Sequence, residues 1–215
     1  MRRYLKWWIL GGLAAVILIA TVWLVQSDAL ATIQEQRNRL PPAAHDCPDD
    51  IEGIWKSHQY DPRYGDWTVF MLHIHRVPDQ PGELTGQILN HSWDGPPTLE
   101  QPGPCEGGNS QWVVSMDARG TVDGTGHIFF GGIGRWRLDQ IICYHGPGGY
   151  NLDNFTGQID QELKEFQSVN NDGGRAVDDP TVFRRVDCFQ ADVQSPTVVT
   201  TPPPFYPQMG GGCGC

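Results

Sequence analysis

Residues 68–77 read TVFMLHIHRV, and this stretch decides the fold class. Phe70, Leu72 and Ile74 fall on one face of an extended chain, whereas Met71 and the two histidines fall on the other. Alternation of this kind predicts a β-strand with one side against a core and the other toward solvent.

Further stretches of strand-like composition lie on both sides, separated by turns rich in Gly, Pro, Asn and Asp. They span 52–58, 83–92, 111–117, 127–130, 133–145, 154–160 and 181–189. Residues 161–167 fit either a helical turn or the start of a strand. The whole pattern predicts a mainly β fold, an antiparallel barrel or sandwich of about eight strands. Its longest irregular segment, 94–110, is of a length often found in functional or interacting loops.

Upstream of this region, residues 7–25 (WWILGGLAAVILIATVWLV) carry no charge. A helix of this length matches the hydrocarbon core of a bilayer, and the basic residues within 1–6 predict a cytoplasmic N-terminus. The alternative is a cleaved signal peptide, for which residues 29–31 (ALA) form a suitable site. Both interpretations place the later residues outside the cytoplasm, on the periplasmic side of a bacterial-type inner membrane.

The predicted organisation follows from these boundaries. It comprises a cytoplasmic stub at 1–6, a transmembrane helix at 7–25, a helical extension and linker at 26–44, an exported β-domain at 45–194 and a Pro/Gly-rich tail at 195–215. The chain has 215 residues and a net charge of −10, without clustered Lys and Arg. Nucleic acid is therefore not an expected partner, because a phosphate-binding face needs such clusters. The membrane and other membrane-protein subunits are the expected partners.

The chain contains six cysteines. Exported proteins keep disulfides, and the four cysteines of the β-domain allow three pairings. The preferred pairing is Cys47–Cys188, which would join the two ends of the domain, together with Cys105–Cys143. Free buried thiols are the alternative. The final CGC at 213–215 is interpreted as a metal-binding or disulfide-like pair, with a free tail or an intermolecular contact as the alternatives.

The first predicted strand opens with Gly53-Ile54-Trp55, which resembles the G-x-W motif of lipocalins and related calycin barrels. In that family an arginine from the end of the barrel packs on the tryptophan. The matching position here is Arg184 or Arg185. The resemblance implies an up-and-down barrel whose floor is closed by a cation–π contact. The family's second motif, T-D-Y, is absent, and no ligand is implied.

His73 and His75 lie two residues apart on one strand face, where both imidazoles can reach a single metal ion. They resemble the H-x-H pair of cupins, but the glutamate that cupins place about four residues later is missing. A third ligand would come from the remaining histidines, which include His58, His91, His127 and His145. The only cofactor that the sequence suggests is thus a transition metal at this pair. The alternative is a pair of ordinary polar side chains on a strand.

Residues 195–215 (SPTVVTTPPPFYPQMGGGCGC) carry no charge and cannot form a core of their own. Phe205 and Tyr206 are expected to contact a neighbouring subunit, and Gly11 and Gly12 would let another membrane helix approach closely. The leading hypothesis is therefore a non-enzymatic accessory or structural subunit of a larger inner-membrane assembly, of respiratory or photosynthetic type.

Two other functional hypotheses remain open. One is a membrane-tethered β-barrel that binds a small apolar ligand. The other is a metal-dependent exported enzyme that uses His73 and His75. The sequence contains no nucleophile elbow, P-loop or dinucleotide fingerprint, so no catalytic residue is assigned.

Overall fold

The computed structural model describes residues 32–174 and 179–189. Within them, nine β-strands form one antiparallel sheet. The strands are β1 (Gly53–Lys56), β2 (Gln59–Asp61), β3 (Asp66–Val77), β4 (Gln80–Asp94), β5 (Gln111–Val122), β6 (His127–Cys143), β7 (Asn154–Asp160), β8 (Glu165–Asn170) and β9 (Pro180–Asp187).

The sheet closes on itself because β1 pairs with both β3 and β9. The result is an eight-stranded antiparallel barrel in which neighbours in the chain are neighbours in the sheet. The short strand β2 continues the line of β1 along β3. The prediction of a mainly β, antiparallel fold is thus confirmed, and of the two predicted architectures the chain adopts the barrel.

Some predicted strand boundaries were wrong. The stretches 127–130 and 133–145 belong to one strand, β6, because the glycines between them do not end it. They make room instead, since a side chain on Gly132 would overlap Met116 of β5, where the β5–β6 ladder is irregular. The undecided stretch 161–167 is a turn at 161–164 followed by the start of β8.

The two ends of the barrel are distinct. The closed end consists of residues 45–52 together with the turns at 78–79, 123–126 and 161–164. The open end consists of the turn at 62–65 and the described parts of the loops at 95–110, 144–153 and 171–179.

An apolar core fills the barrel from the closed end upward. The buried face of β3 supplies Phe70, Leu72 and Ile74, as their alternation predicts. The other strands add further buried apolar side chains, including Trp55, Leu84, Ile88, Met116, Ile128, Phe130, Phe155, Ile159, Phe166 and Phe183.

Both expected disulfides are present. Cys47–Cys188 joins the segment before β1 to the end of β9, at the closed end. Cys105–Cys143 joins the loop at 95–110 to the end of β6, at the open end. Each bond therefore ties together chain segments at one end of the barrel.

Residues 32–39 are helical and lie against the outside of the barrel. No helix in the described ranges is long and apolar enough to cross a membrane. The predicted transmembrane segment 7–25 with Gly11 and Gly12, and the tail 195–215 with Phe205 and Tyr206, lie outside the described residues. The anchor and the tail contacts therefore stay predictions.

Candidate functional site: the open end of the barrel

The closed end is held by Trp55, which is fully buried. Its indole N–H donates to the carbonyl oxygen of Ile51 at 2.8 Å. The Arg185 guanidinium lies 5.8 Å from the centre of the indole ring and donates to the carbonyl of Asp49 at 2.7 Å. This is the arrangement that the G-x-W resemblance implies, with Arg185 rather than Arg184 on the indole.

The glycine of that motif has a steric reason. Gly53 has φ of 141°, and a Cβ at this position would lie 2.5 Å from the carbonyl oxygen of Asp187. Arg184 has a different role, because it pairs with the buried carboxylate of Glu165. The floor of the barrel is thus closed by packing and leaves no space for a ligand at Trp55.

The inward face of several strands changes from apolar to polar toward the open end. On β4 the inward residues run Leu84, Gly86, Ile88, Asn90 and Ser92. β3 passes likewise from Phe70 to Thr68, β8 from Phe166 to Ser168 and Asn170, and β9 from Phe183 to Thr181. Because the inward side chains of these strands change from apolar to polar at the same height along the barrel axis, the half nearer the open end, here called the upper half, has a polar interior.

A cavity of about 510 Å³ occupies this upper half. Phe70 forms part of its floor, and Asn90, Ser92, Asn170 and Thr181 lie on its walls. Aromatic rings also line it, namely Tyr64, Trp112 and Tyr150. The cavity therefore offers apolar ring surfaces and hydrogen-bonding groups side by side.

A chain of hydrogen bonds links the polar walls. The Ser92 hydroxyl donates to the amide oxygen of Asn90 at 2.8 Å, and the amide nitrogen of Asn90 donates to the phenol oxygen of Tyr150 at 2.5 Å. The Tyr150 hydroxyl in turn donates to the Asp153 carboxylate at 2.7 Å. Asn170 donates to the same carboxylate at 3.2 Å. Such a network fixes the side chains before any ligand enters.

Asp153 is the most perturbed acid of this network, with 1% of its surface exposed. Burial, with a smaller contribution from the charge of Asp172, raises its pKa to about 7, because the hydrogen bonds from Tyr150 and Asn170 only partly oppose this. Burial, followed by the charge on Asp153, also raises the pKa of Tyr150 well above its usual value. The site therefore contains a carboxyl group that titrates near neutral pH and a phenol that stays protonated.

The barrel wall next to the cavity is completed by a side chain. Beyond Lys56, toward the open end, no described strand pairs with β9 on the side that faces β2. Gln36 of the helical segment fills this seam: its amide nitrogen donates to the Pro180 carbonyl at 2.8 Å, and its amide oxygen accepts from the Val182 N–H at 2.8 Å. Because Gln36 also lines the cavity, the segment that precedes the barrel forms part of the site.

The long loop at 95–110 covers the rings of Trp67 and Trp93 on the outer surface of the barrel and does not line the cavity. The indole N–H groups of Trp67 and Trp93 donate to the carbonyls of Pro96 and Leu99, at 3.0 and 3.1 Å. The disulfide Cys105–Cys143 holds the far part of the loop. The loop thus fixes the rim of the open end.

The two histidines predicted as metal ligands lie elsewhere, on the outer face of β3. His75 stacks on Phe189 with ring centres 3.9 Å apart, and His73 meets the same ring edge-on. Burial lowers the pKa of His73. Within the described ranges, no group of three or more His, Cys, Asp and Glu side chains could hold a metal ion. The metal site at His73 and His75 therefore stays a prediction, and the described residues offer no third ligand for it.

Comparisons with known proteins do not identify the chain. No family model, curated protein or solved structure matches it. The resemblance to calycin barrels thus rests on the barrel topology and on Gly53, Trp55 and Arg185.

The cavity residues were not predicted as a site. Asn90, Tyr150 and Asn170 come from distant parts of the chain, and none belongs to a recognisable motif. A signal was nevertheless present in β4, where the inward positions change from Leu84 and Ile88 to Asn90 and Ser92.

Proposed function

We propose that this protein binds a small molecule in the open end of its barrel, a ligand with both apolar surface and hydrogen-bonding groups. The observation that carries the proposal is the cavity of about 510 Å³. This volume lies within the range of roughly 300–1,000 Å³ typical of small-molecule sites. Mouths of β-barrels are also among the places where such sites occur.

The lining supports a mixed ligand instead of the small apolar one of the alternative hypothesis. Phe70 and Trp112 offer apolar surface, whereas Asn90, Tyr150 and Asn170 offer donors and acceptors. Buried polar groups that face a cavity favour a ligand that satisfies them, because unpaired groups in a desolvated complex reduce affinity.

The test is a fragment screen on the full-length chain followed by NMR. Binding should shift the indole N–H signal of Trp112 and the side-chain amide signals of Asn90 and Asn170. The indole N–H of Trp55 at the closed end is the internal control and should not move. If the fragments that bind shift only signals far from the open end, or if no fragment binds, the proposal is wrong.

The compartment proposed for this activity is extracytoplasmic. Both disulfides favour an oxidising environment. The membrane anchor at 7–25 remains part of the proposal on sequence grounds, so that the barrel would be tethered to the inner membrane on its periplasmic side.

The accessory-subunit hypothesis is kept as a second candidate because of one surface. β7 pairs with β6 only along residues 127–131, so residues 133–142 of β6 have a free edge within the described ranges. Several apolar side chains are exposed there, among them Ile133, Leu138 and Ile141. A free strand edge with exposed apolar residues is a surface to which another protein chain can bind by pairing with the strand. The occupant proposed is a neighbouring membrane-protein subunit.

This second candidate has its own test. Leu138→Glu places a charge on the β6 surface, whereas Thr121→Glu, at an exposed position on β5, is the matched control. Loss of co-purification with membrane partners in Leu138→Glu alone would support it. Equal co-purification of both variants and the unchanged chain would contradict it, without bearing on the cavity.

A further inference from the structure

The cavity of the open end has an excess of carboxylates. Its acidic lining residues are Asp61, Asp66, Asp153, Asp172 and Asp179, and its only basic lining residue among the described ones is Arg63. The described lining of the cavity is therefore negative overall.

The basic side chain of the described lining, Arg63, is engaged at the rim. Arg63 pairs with Asp61 at 2.8 Å and also with Asp179. More than half of the Arg63 side chain is exposed, which places its charge toward solvent. It therefore does not neutralise the carboxylates deeper in the cavity.

Two further carboxylates, the buried Asp153 and the partly buried Asp172, share the side-chain amide of Asn170. Asp153 accepts hydrogen bonds from Tyr150 and Asn170, and Asp172 accepts from the Gly174 N–H at 2.6 Å and from Asn170 at 3.4 Å. All these donors are neutral. The ion pairs between described residues include neither Asp153 nor Asp172. Two acids held close together in a poorly solvated cavity repel each other unless a cation or a proton compensates them.

Aromatic rings complete the arrangement. Tyr150 donates to Asp153, the Trp112 ring packs edge-on against the Tyr150 ring, and Phe70 and Tyr64 also line the cavity. The faces of such rings attract cations, and desolvation strengthens the attraction. Carboxylates beside aromatic walls are suited to an ammonium group that carries an apolar body.

We propose, building on the proposed function, that the ligand of the open end is a small organic cation, whose ammonium group binds between Asp153 and Asp172 and whose apolar body rests on the aromatic walls. The ammonium group donates to both carboxylates and supplies a positive partner that the described residues do not provide. Because Asp153 takes up a proton near neutral pH, the cation and that proton compete for the same carboxylate.

The competition makes binding depend on pH. The charged and titratable groups around Asp153 are Tyr150 and Asp172, with Asp61, Arg63, Asp66 and Asp179 around the rest of the cavity. Ionised Asp153 is needed for the charge-assisted contact, so affinity should rise between pH 6 and pH 8 and protons should be released on binding.

Three probes that share one ring skeleton test the ligand class. Tyramine carries an ammonium group, tyrosol carries a hydroxyl in its place, and 4-hydroxyphenylacetate carries a carboxylate. Titration calorimetry on the full-length chain at pH 8 should show tyramine binding at least about tenfold more tightly than tyrosol, as expected for charge-assisted hydrogen bonds. The carboxylate probe should bind most weakly.

Variants connect this preference to the proposed residues. Asp172→Asn and Asp153→Asn should each reduce the affinity for tyramine about tenfold while changing that for tyrosol little. Asp117→Asn is the control, because this carboxylate lies exposed on β5 and pairs with Arg137, away from the cavity. If Asp153→Asn fails to fold, Asp172→Asn alone decides.

The outcomes separate the two proposals. Equal affinity of tyramine and tyrosol, with NMR shifts at the open end, would overturn the cationic ligand and leave the proposed function standing. Absence of binding by all three probes would also overturn it, and the broader fragment screen would then decide the proposed function. Unchanged tyramine affinity in a folded Asp172→Asn variant would equally contradict the assignment.

Discussion

The closed and open ends of one barrel use the same strands for different purposes. At the closed end, Trp55, Arg185 and the disulfide Cys47–Cys188 fill and fasten the interior. At the open end, the same strands turn Asn90 and Asn170 inward around a cavity of about 510 Å³. Burial of apolar surface stabilises the first region, whereas the second retains polar groups that stability alone does not require. The difference indicates that one half maintains the fold and the other is available for binding.

The largest expected effects come from the two disulfides, one at each end. Replacing Cys47 and Cys188 by serine opens a loop of 141 residues, and replacing Cys105 and Cys143 opens one of 38. The chain-entropy model gives losses in unfolding free energy of about 5 and about 4 kcal/mol. Urea unfolding measures both. The comparison would be weakened if removing Cys47–Cys188 reduced ligand affinity as much as removing Cys105–Cys143, which holds the rim.

Truncating one tryptophan at each end compares packing directly. Trp55→Ala should lower the unfolding free energy by about 4 kcal/mol, because it empties a fully buried site. Trp112→Ala should cost about 2 kcal/mol, since this ring already borders a cavity. Both values follow from urea denaturation. Equal losses would show that the open end is packed as a core and would contradict the distinction between the ends.

The stability of the open end should depend on pH through Asp153. Its folded pKa of about 7 lies above the ordinary value of 3.8, so ionisation destabilises the folded state as pH rises from about 4 to about 7. Asp153→Asn should therefore gain stability relative to the unchanged chain over this window, by as much as about 4 kcal/mol, and level off above it. Melting temperatures from pH 4 to pH 8 test this. The exposed Asp117→Asn should show no such trend, and a flat difference for Asp153→Asn would refute the assignment.

The smallest expected effect concerns the seam beside the cavity. Gln36→Leu removes the amide that pairs with Pro180 and Val182, and should lower the unfolding free energy by about 2 kcal/mol. Gln34→Leu, on the exposed side of the same helical segment, is the matched control and should change it little. Similar effects of both variants would indicate that the segment does not complete the barrel wall.

Local pattern predicted the parts of the fold in which each strand carries its own signal. The alternation in 68–77 identified β3 and its buried face, and the cysteine positions suggested both disulfides. β8 was left undecided because EFQSVN at Glu165–Asn170 combines charged, apolar and polar residues without strict alternation in hydropathy. Its buried Glu165 is neutralised by Arg37 and Arg184, which come from distant positions.

The candidate site could not be predicted in the same way. Its residues converge only when the barrel closes, because Asn90, Tyr150, Asp153 and Asn170 come from β4, β8 and the loop between β6 and β7. Burial of Asp153 is likewise a property of the closed barrel and not of its neighbours in the chain. By contrast, His73-Ile74-His75 offered a clear local pattern for a metal site. In the folded chain both histidine rings instead contact the ring of Phe189.

The most direct test of the account is to fill the open end and measure binding. Ser92→Trp projects an indole into the cavity from β4, whereas Thr121→Trp adds the same ring at an exposed position on β5. Affinities are measured by calorimetry on the full-length chain, with the fragments that shift Trp112 and with tyramine. Affinity should fall at least about tenfold in folded Ser92→Trp and stay unchanged in Thr121→Trp. Binding that persists unchanged in a folded Ser92→Trp variant would contradict the claim that the open end is the binding site.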